Sequence, residues 1–259
     1  MGVVMYDQFA DDYDRFVDWQ SRLSIEMPFI ETSIRGSIGS IGEISVLDAA
    51  CGTGMHAIAL AKAGLSVCAA DLSGEMIARA RANAQKTGAS IRFEAAGFGA
   101  LSRTFGTEGF HAALCLGNSL PHLLTDADLA ATLADFYACL KPGGVLLIQN
   151  HNFDAVMKTR DRFMEPQIHV EGGEEWIFHR FYDFNPDGTI LFNITRLHRA
   201  PNSGWQSDVI STLLKPLLEK ELLQALDRTG FRSVRTYGSL TGDAFDLRGS
   251  GNLVLLAYK

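Results

Sequence analysis

The 259-residue chain has no long hydrophobic run, no surplus of basic residues and only four cysteines. No apolar segment approaches the roughly 20 residues that cross a bilayer, so no membrane span is expected. Acidic residues outnumber basic ones, 30 to 23, giving a net charge of −7. That balance offers no electrostatic footprint for nucleic acid or an anionic membrane. Cys51, Cys68, Cys115 and Cys139 are scattered through apolar segments without a C-x-x-C pair, which reads as reduced core thiols rather than disulfides or zinc ligands. The histidines lack H-x-x-x-H spacing, so no metal is expected. The amino terminus turns acidic within a few residues, unlike a signal peptide, and a reducing cytoplasm fits best.

What is present is a chain that is 47% hydrophobic and 20% charged, suited to one compact domain with a sizeable insertion. Residues 7–34 have a helical pattern, with Phe9, Tyr13, Phe16, Ile25, Phe29 and Ile30 roughly on one face. The Gly/Ser-rich stretch RGSIGSIGE (35–43) then marks a link, dividing an arm at 1–43 from a domain at 44–259. Strand-like runs follow at 44–48, 65–71, 90–93, 110–116 and 145–149, with helix-like runs at 55–63, 74–87 and 126–140 between them. LysProGlyGly at 141–144 reads as the turn between a helix and the next strand. This alternation predicts an α/β, doubly wound, mostly parallel sheet. After residue 150 the rhythm changes. The segment 176–199 reads as an antiparallel hairpin around Asn-Pro-Asp-Gly, within a substrate-side insertion at 151–215 that extends or covers the sheet. A helix at about 216–229 and a strand at 252–258 close the chain. The aromatics Trp176, Phe178, Tyr182 and Trp205 are read as sheet packing ahead of an acceptor wall.

The stretch VLDAACGTGMHA (46–57) carries the chemistry. An apolar strand ends at an aspartate, and glycines follow at G-x-G-x-x-A spacing, so that a ligand can touch bare backbone. No lysine follows as a nucleoside-triphosphate loop requires. The choice lies between a nicotinamide dinucleotide and S-adenosylmethionine, and Asp71 at the second strand end suits the ribose of either. Asp48 discriminates. A carboxylate at the first strand mouth repels paired phosphates and suits a ligand bearing an ammonium and a sulfonium. The methionine carboxylate can still use free backbone N–H groups near Gly54 to His56.

VLDAACGTG, AADLSGEM and LKPGGVLLI resemble successive motifs of class I S-adenosylmethionine-dependent methyltransferases across residues 44–150. CLGNSLPHL (115–123) and IQNHNFD (148–154) resemble the fourth- and fifth-strand ends of glycine and glycine/sarcosine N-methyltransferases, and YDQFADDYDRFVDWQSRL resembles the lid of that group and of sugar-amine N-methyltransferases. The resemblance implies a Rossmann-like, seven-stranded methyltransferase fold with an amino-terminal helical lid and an antiparallel insertion after the fifth strand. It implies S-adenosylmethionine as cofactor and a small-molecule acceptor. By it, Asp71 holds the ribose, Leu72 and Met76 lie at the adenine side, and Asp48, Ala50, Gly52 and Gly54 line the methionine end. Leu116 and Gly117 run along the cofactor, Arg22 meets its carboxylate, and Tyr13 closes the site. Asn118 and His122 face the acceptor.

Three departures bear on specificity. His151 stands where the glycine enzymes have the arginine that grips the acceptor carboxylate; Arg160, Arg162 and Arg180 are candidate substitutes. Gly97 replaces the usual Asp or Asn at the adenine, while Phe98 keeps the following aromatic. Substrate-side tyrosines of the later segment have no match. Together they argue against glycine itself as acceptor. The expected catalytic set is Asn118, His151, His122 and Tyr13. The alternatives are O- or C-methylation of a natural product, a nicotinamide-dependent oxidoreductase, and a non-catalytic cofactor binder. A homo-oligomer is compatible with the sequence.

Overall fold

A computed structural model describes residues 7, 10, 12–38 and 43–259, with the side chains of 37 and 38 excepted. Phe9 and residues 39–42 of the expected link lie outside the described residues. Short apolar runs alternating with Ala- and Leu-rich segments build a seven-stranded sheet in the order β10-β11-β5-β4-β1-β2-β3. Its strands are β1 (Ser45–Ala49), β2 (Ser66–Asp71), β3 (Arg92–Ala95), β4 (Phe110–Cys115), β5 (Leu140–His151), β10 (Arg232–Tyr237) and β11 (Asn252–Tyr258). All run parallel except β11, which is antiparallel to both neighbours.

The pleat sends alternate side chains to opposite faces, and each face buries a separate helix layer. Val46, Val254 and Leu256 pack with α1 (Trp19–Ile38), α2 (Met55–Lys62) and α3 (Gly74–Thr87). Leu47, Leu253 and Leu255 pack with α4 (Leu101–Phe105), α5 (Asp126–Cys139) and α7 (Glu219–Thr229). Helix starts follow local chemistry: the Ser73 hydroxyl accepts from Met76 N–H at 3.1 Å, and Thr125 accepts from Asp128 N–H at 3.1 Å. From β1 the sheet is wound towards β2 and β3 on one side and towards β4 and β5 on the other. That reversal opens a crevice at the carboxyl ends of β1 and β4.

Four details differ from the sequence pattern. The expected helix over 7–34 is broken at residues 17–18, because the Asp18 carboxylate accepts from Ser21 N–H (3.1 Å) and starts a new helix. That helix, α1, runs on through Gly36 to Ile38 instead of yielding to a link at Arg35; Ile30 and Ile34 keep its buried stripe in the core. LysProGlyGly lies inside β5, as a bulge between the Phe110–Leu140 and Ala112–Val145 pairs with Gly143 at φ +78°. The hairpin is the centre of a separate four-stranded antiparallel sheet, β6 (Gln167–Glu171), β7 (Glu174–Phe184), β8 (Ile190–Arg199) and β9 (Gln206–Leu214), which does not extend the large sheet. Trp176, Phe178 and Tyr182 are buried in it, while Trp205 is largely exposed beneath Arg199.

The small sheet is anchored at two places. Tyr13 and Phe16 of the arm pack against Trp176, Phe178 and Ile194, and Phe153 of α6 (Phe153–Thr159) packs against Tyr182, Ile190 and Leu214. At the root of α6, the buried Asn152 amide donates to the carbonyls of Leu247 (3.1 Å) and Ser250 (3.0 Å), and its oxygen accepts from Ala155 N–H (3.3 Å). One side chain thus ties β5, α6 and the loop before β11 together. Replacing Asn152 by Ala should cost about 2 kcal/mol and lower the melting midpoint by roughly 5 °C, since a buried side chain that makes three hydrogen bonds is lost. An unchanged midpoint in a thermal scan would count against this tie.

Candidate active site

The carboxyl ends of β1 and β2 each present an aspartate. Asp71 is a fastener: its Oδ2 accepts from Gly52 N–H and its Oδ1 from Ser73 N–H, both at 2.9 Å. The glycine turn is thereby pinned to the neighbouring strand, and each carboxylate oxygen keeps lone pairs for a further donor. Asp48 is only 2% exposed, and its Oδ2 is buried without a hydrogen-bond partner. Burial, followed by repulsion from Asp71, pushes its pKa up to about 7, with the Ala57 backbone N–H working the other way.

These residues open onto a cavity of about 390 Å³. Asp48, Ala50 and Gly52 form its floor, and Asp71, Leu72 and Met76 form the β2 side. Gly97 and Phe98 line it next to Leu72, Leu116 and Gly117 line it beyond the β4 end, and Tyr13 and Arg22 come from the arm. Gly54 does not line it: a Cβ there would meet Ala80 Cβ at 2.9 Å and the Phe93 ring at 3.0 Å, so this glycine serves close packing of α2. At Gly97 a Cβ would meet Leu72 Cδ1 at 2.8 Å, so side-chain-free backbone keeps that part of the slot open. Cys51, Trp19, His56 and Leu101 line the cavity as well and carry no sequence signal of their own. Burial lowers the pKa of His56 against the opposing pull of Glu26, whose Oε2 lies 2.7 Å from Nε2, and its ring is edge-on to Trp19.

An orphaned, buried carboxylate oxygen suits a cationic group, a second carboxylate with spare lone pairs suits vicinal hydroxyls, and an apolar slot suits a flat ring. The residues present therefore fit S-adenosylmethionine, whose ammonium, ribose and adenine ask for those three things.

A second cavity of about 260 Å³ shares Tyr13, Arg22, Gly117 and His122 with the first. Asn118 enters it from the end of β4, in the left-handed region at φ +65°. The Gly117–Asn118 turn is held by Gln149, which accepts from Gly117 N–H through Oε1 (2.8 Å) and from Asn118 N–H through its backbone carbonyl (3.1 Å). Asn118 Oδ1 in turn accepts from His151 N–H at 3.0 Å, locking the β4 and β5 ends together. The His151 ring lies 2.7 Å from the Tyr182 hydroxyl through Nδ1. Burial, then the charges of Arg180 and Arg22, depress its pKa to about 4, and burial alone takes His122 to about 4.

Arg22 reaches Glu26 at 2.9 Å. Burial opposes ionisation of Glu26, but the His56 hydrogen bond and the Arg22 charge outweigh it and lower its pKa. Of the three arginines weighed as substitutes, Arg180 lines this cavity; Arg162 pairs with Asp183 and Arg160 stacks on Phe184. Phe192, Ile194 and Asn252 complete the walls, drawn from β8 and β11 by the fold alone. Among the described residues no cluster of His, Cys, Asp or Glu could hold a metal ion, and no helix is long and apolar enough to cross a membrane.

Residues 46–144 match the family described as a methyltransferase domain. A glycine/sarcosine N-methyltransferase of Halorhodospira halochloris is 38% identical over 240 residues, spanning 90% of this chain and 80% of that one. A glycine/sarcosine N-methyltransferase of Aphanothece halophytica is 30% identical over 234 residues, spanning 89% of this chain and 80% of that one. Among solved structures, an S-adenosylmethionine-dependent methyltransferase from Clostridium acetobutylicum shares the fold, with a TM-score of 0.78 over 98% of both chains at 17% identity. The chain belongs to the S-adenosylmethionine-dependent methyltransferases, in the family of the glycine/sarcosine N-methyltransferases, and S-adenosylmethionine is its methyl donor.

Proposed function

We propose that the enzyme N-methylates a small polar amine held in the second cavity. The observation that carries this reading is the shared wall: Tyr13, Arg22, Gly117 and His122 face both chambers, so a polar acceptor and the donor can meet across them. Within the arm at 1–43 the turn over residues 12–16 acts as the lid, since α1 is packed into the core of the domain at 44–259, and 151–215 is the substrate-side insertion. Four free thiols agree with a reducing cytoplasm.

When bound, the donor supplies an electrophilic methyl group on a sulfonium. The chain's own task is to align the acceptor, exclude water and receive it as the free base. Asp48 and the glycine turn hold the donor's cationic end, Asp71 its ribose, and Leu72, Met76 and Phe98 its adenine. Asn118, through the amide nitrogen left after its oxygen binds His151, and His151 orient the acceptor. His122 and Tyr13 border the transfer point. Both imidazoles are neutral above about pH 4, so neither repels an incoming amine at physiological pH.

Two outcomes follow from the electrostatics. The folded-state pKa of Asp48, about 7, lies above its unfolded value, so its contribution to stability is full below about pH 4 and is lost as pH rises through 7. Asp48→Asn should therefore raise the melting midpoint at pH 8 by roughly 5 °C. The same change should weaken S-adenosylmethionine binding by on the order of 100-fold, because the cationic end loses its counter-charge. Calorimetry showing undiminished affinity would refute that role of Asp48.

The second outcome concerns the acceptor. Incubation with methyl-labelled donor and a panel of amino acids, betaine precursors and amino sugars should place label on nitrogen. Asn118→Ala and His151→Ala should each lower kcat/KM at least tenfold with affinity for S-adenosylhomocysteine intact. Between pH 6 and 9 the acid limb of kcat/KM should follow the amine's own ionisation, and His122→Ala should not move it. Label on oxygen or carbon only would replace this reading with the O- or C-methyltransferase alternative.

A further inference from the structure

Arg180 sits in the middle of β7, opposite Ile194 of β8, on the face turned towards the arm. Its guanidinium carbon lies 4.9 Å from the centre of the Phe16 ring, and its Nε is buried without a hydrogen-bond partner. The neighbouring guanidiniums have carboxylate partners, Arg22 in Glu26 and Arg196, through its two Nη atoms, in Asp12 and Asp208, although Arg196 Nε is also without a partner. No carboxylate among the described residues pairs with Arg180, although burial disfavours its charge. The fork of Nε and one Nη in an arginine matches a carboxylate, and in Arg180 the protein supplies no acceptor for Nε.

Arg180 lines the second cavity and not the first, so the anion it awaits belongs to the acceptor and not to the methyl donor. The same cavity contains one carboxylate, Glu26, which already serves Arg22 and His56. Gln149 and Asn252 keep part of the wall polar, while Phe16, Val17, Phe192 and Ile194 give it one apolar side, which glycine has no side chain to use. At about 260 Å³ the chamber is smaller than a drug-sized pocket, about 300–1,000 Å³, yet larger than the five heavy atoms of glycine fill.

We infer that Arg180 anchors the carboxylate of the acceptor, and that the acceptor is an amino acid larger than glycine whose apolar substituent lies against Phe16, Val17, Phe192 and Ile194. This rests on the N-methylation reading above and narrows it. The carboxylate is gripped from the small sheet, the amine faces Asn118 and the shared wall, and the substituent fills the space between arm and β8.

The test uses the full-length enzyme with methyl-labelled S-adenosylmethionine. Acceptors are glycine, sarcosine, alanine, valine, leucine and phenylalanine, each amino acid paired with its carboxamide. The expected result is a kcat/KM for at least one apolar amino acid tenfold or more above that for glycine and sarcosine, and a loss of 100-fold or more in its carboxamide. Arg180→Met should raise KM for that acid about 100-fold, with smaller change in kcat, no change for the carboxamide, and unaltered S-adenosylhomocysteine affinity. Arg180→Lys should recover part of the loss. Equal use of acid and carboxamide by the wild-type enzyme would overturn the inference even if the variants did not fold, as would a preference for glycine. Label in no amine at all, with the donor still bound, would instead remove the underlying N-methylation reading.

Discussion

Asp48 is a carboxylate in the interior, at the carboxyl end of a central parallel strand, with one oxygen unpaired and a second aspartate on the adjacent strand. In an empty protein this arrangement is unfavourable, since burial without a partner costs several kcal/mol for a charged group and is relieved by taking up a proton. It becomes favourable when a cation fills the crevice. The surrounding architecture serves that exchange. Asp71 could have been a second orphan, but two backbone N–H groups bind it, so the like-charge pair is asymmetric: one carboxylate is structurally satisfied and the other awaits the ligand. Recognition of the donor is thereby a matter of charge sign before it is one of shape.

The short helical turn at residues 12–16 forms a wall of both cavities. Its Asp12 binds Arg15 and Arg196 of the small sheet, while its Asp14 accepts from Trp19, and from Arg79 and Asn83 of α3 on the large domain. The turn therefore bridges the two layers between which the cavities lie. Tyr13, between those acidic anchors, and Phe16, just after them, enter the cavities. Exposed ion pairs contribute little individually, about 0–1 kcal/mol. Asp12 is buried, however, and shared by two guanidiniums, so its contribution to closure exceeds that of a surface pair.

Most of the large sheet was legible because its signals are local. Val46 to Asp48 form an apolar strand that stops at a charge, Ser73 and Thr125 cap the helices that follow, and Gly88 ends α3 in the left-handed region. The small sheet was half legible. β7 and β8 announce themselves through Asn-Pro-Asp-Gly, but β6 and β9 carry QIHVE and QSDVISTLL, whose alternation of polar and apolar residues is weak over so short a span. LysProGlyGly misled because a bulge and a turn use the same residues; only pairing across to β4 and β11 tells them apart. The donor cavity follows from two strand ends and a loop, hence from short motifs. The acceptor cavity gathers the arm, β4, β5, β7, β8 and β11. No spacing rule links Arg180, Phe192 and Asn252, which come to one cavity from strands of two different sheets.

On the proposed reading, His151 at the end of β5 and Arg180, which has no carboxylate partner among the described residues, are two sides of one electrostatic condition. Arg22 and Arg180 already make the acceptor chamber positive enough to help drive the His151 pKa down to about 4. A third guanidinium at position 151 would add a further buried cation with no carboxylate to meet it, since Glu26 is taken by Arg22 and His56. A neutral imidazole, fastened by its backbone to Asn118 and by Nδ1 to Tyr182, keeps the strand ends joined at no charge cost. The cation that the site needs is thus displaced from the strand end to β7. An acceptor gripped there must span from the small sheet to the mouth of the donor cavity, and reach, as much as charge, then sets which amines can be methylated.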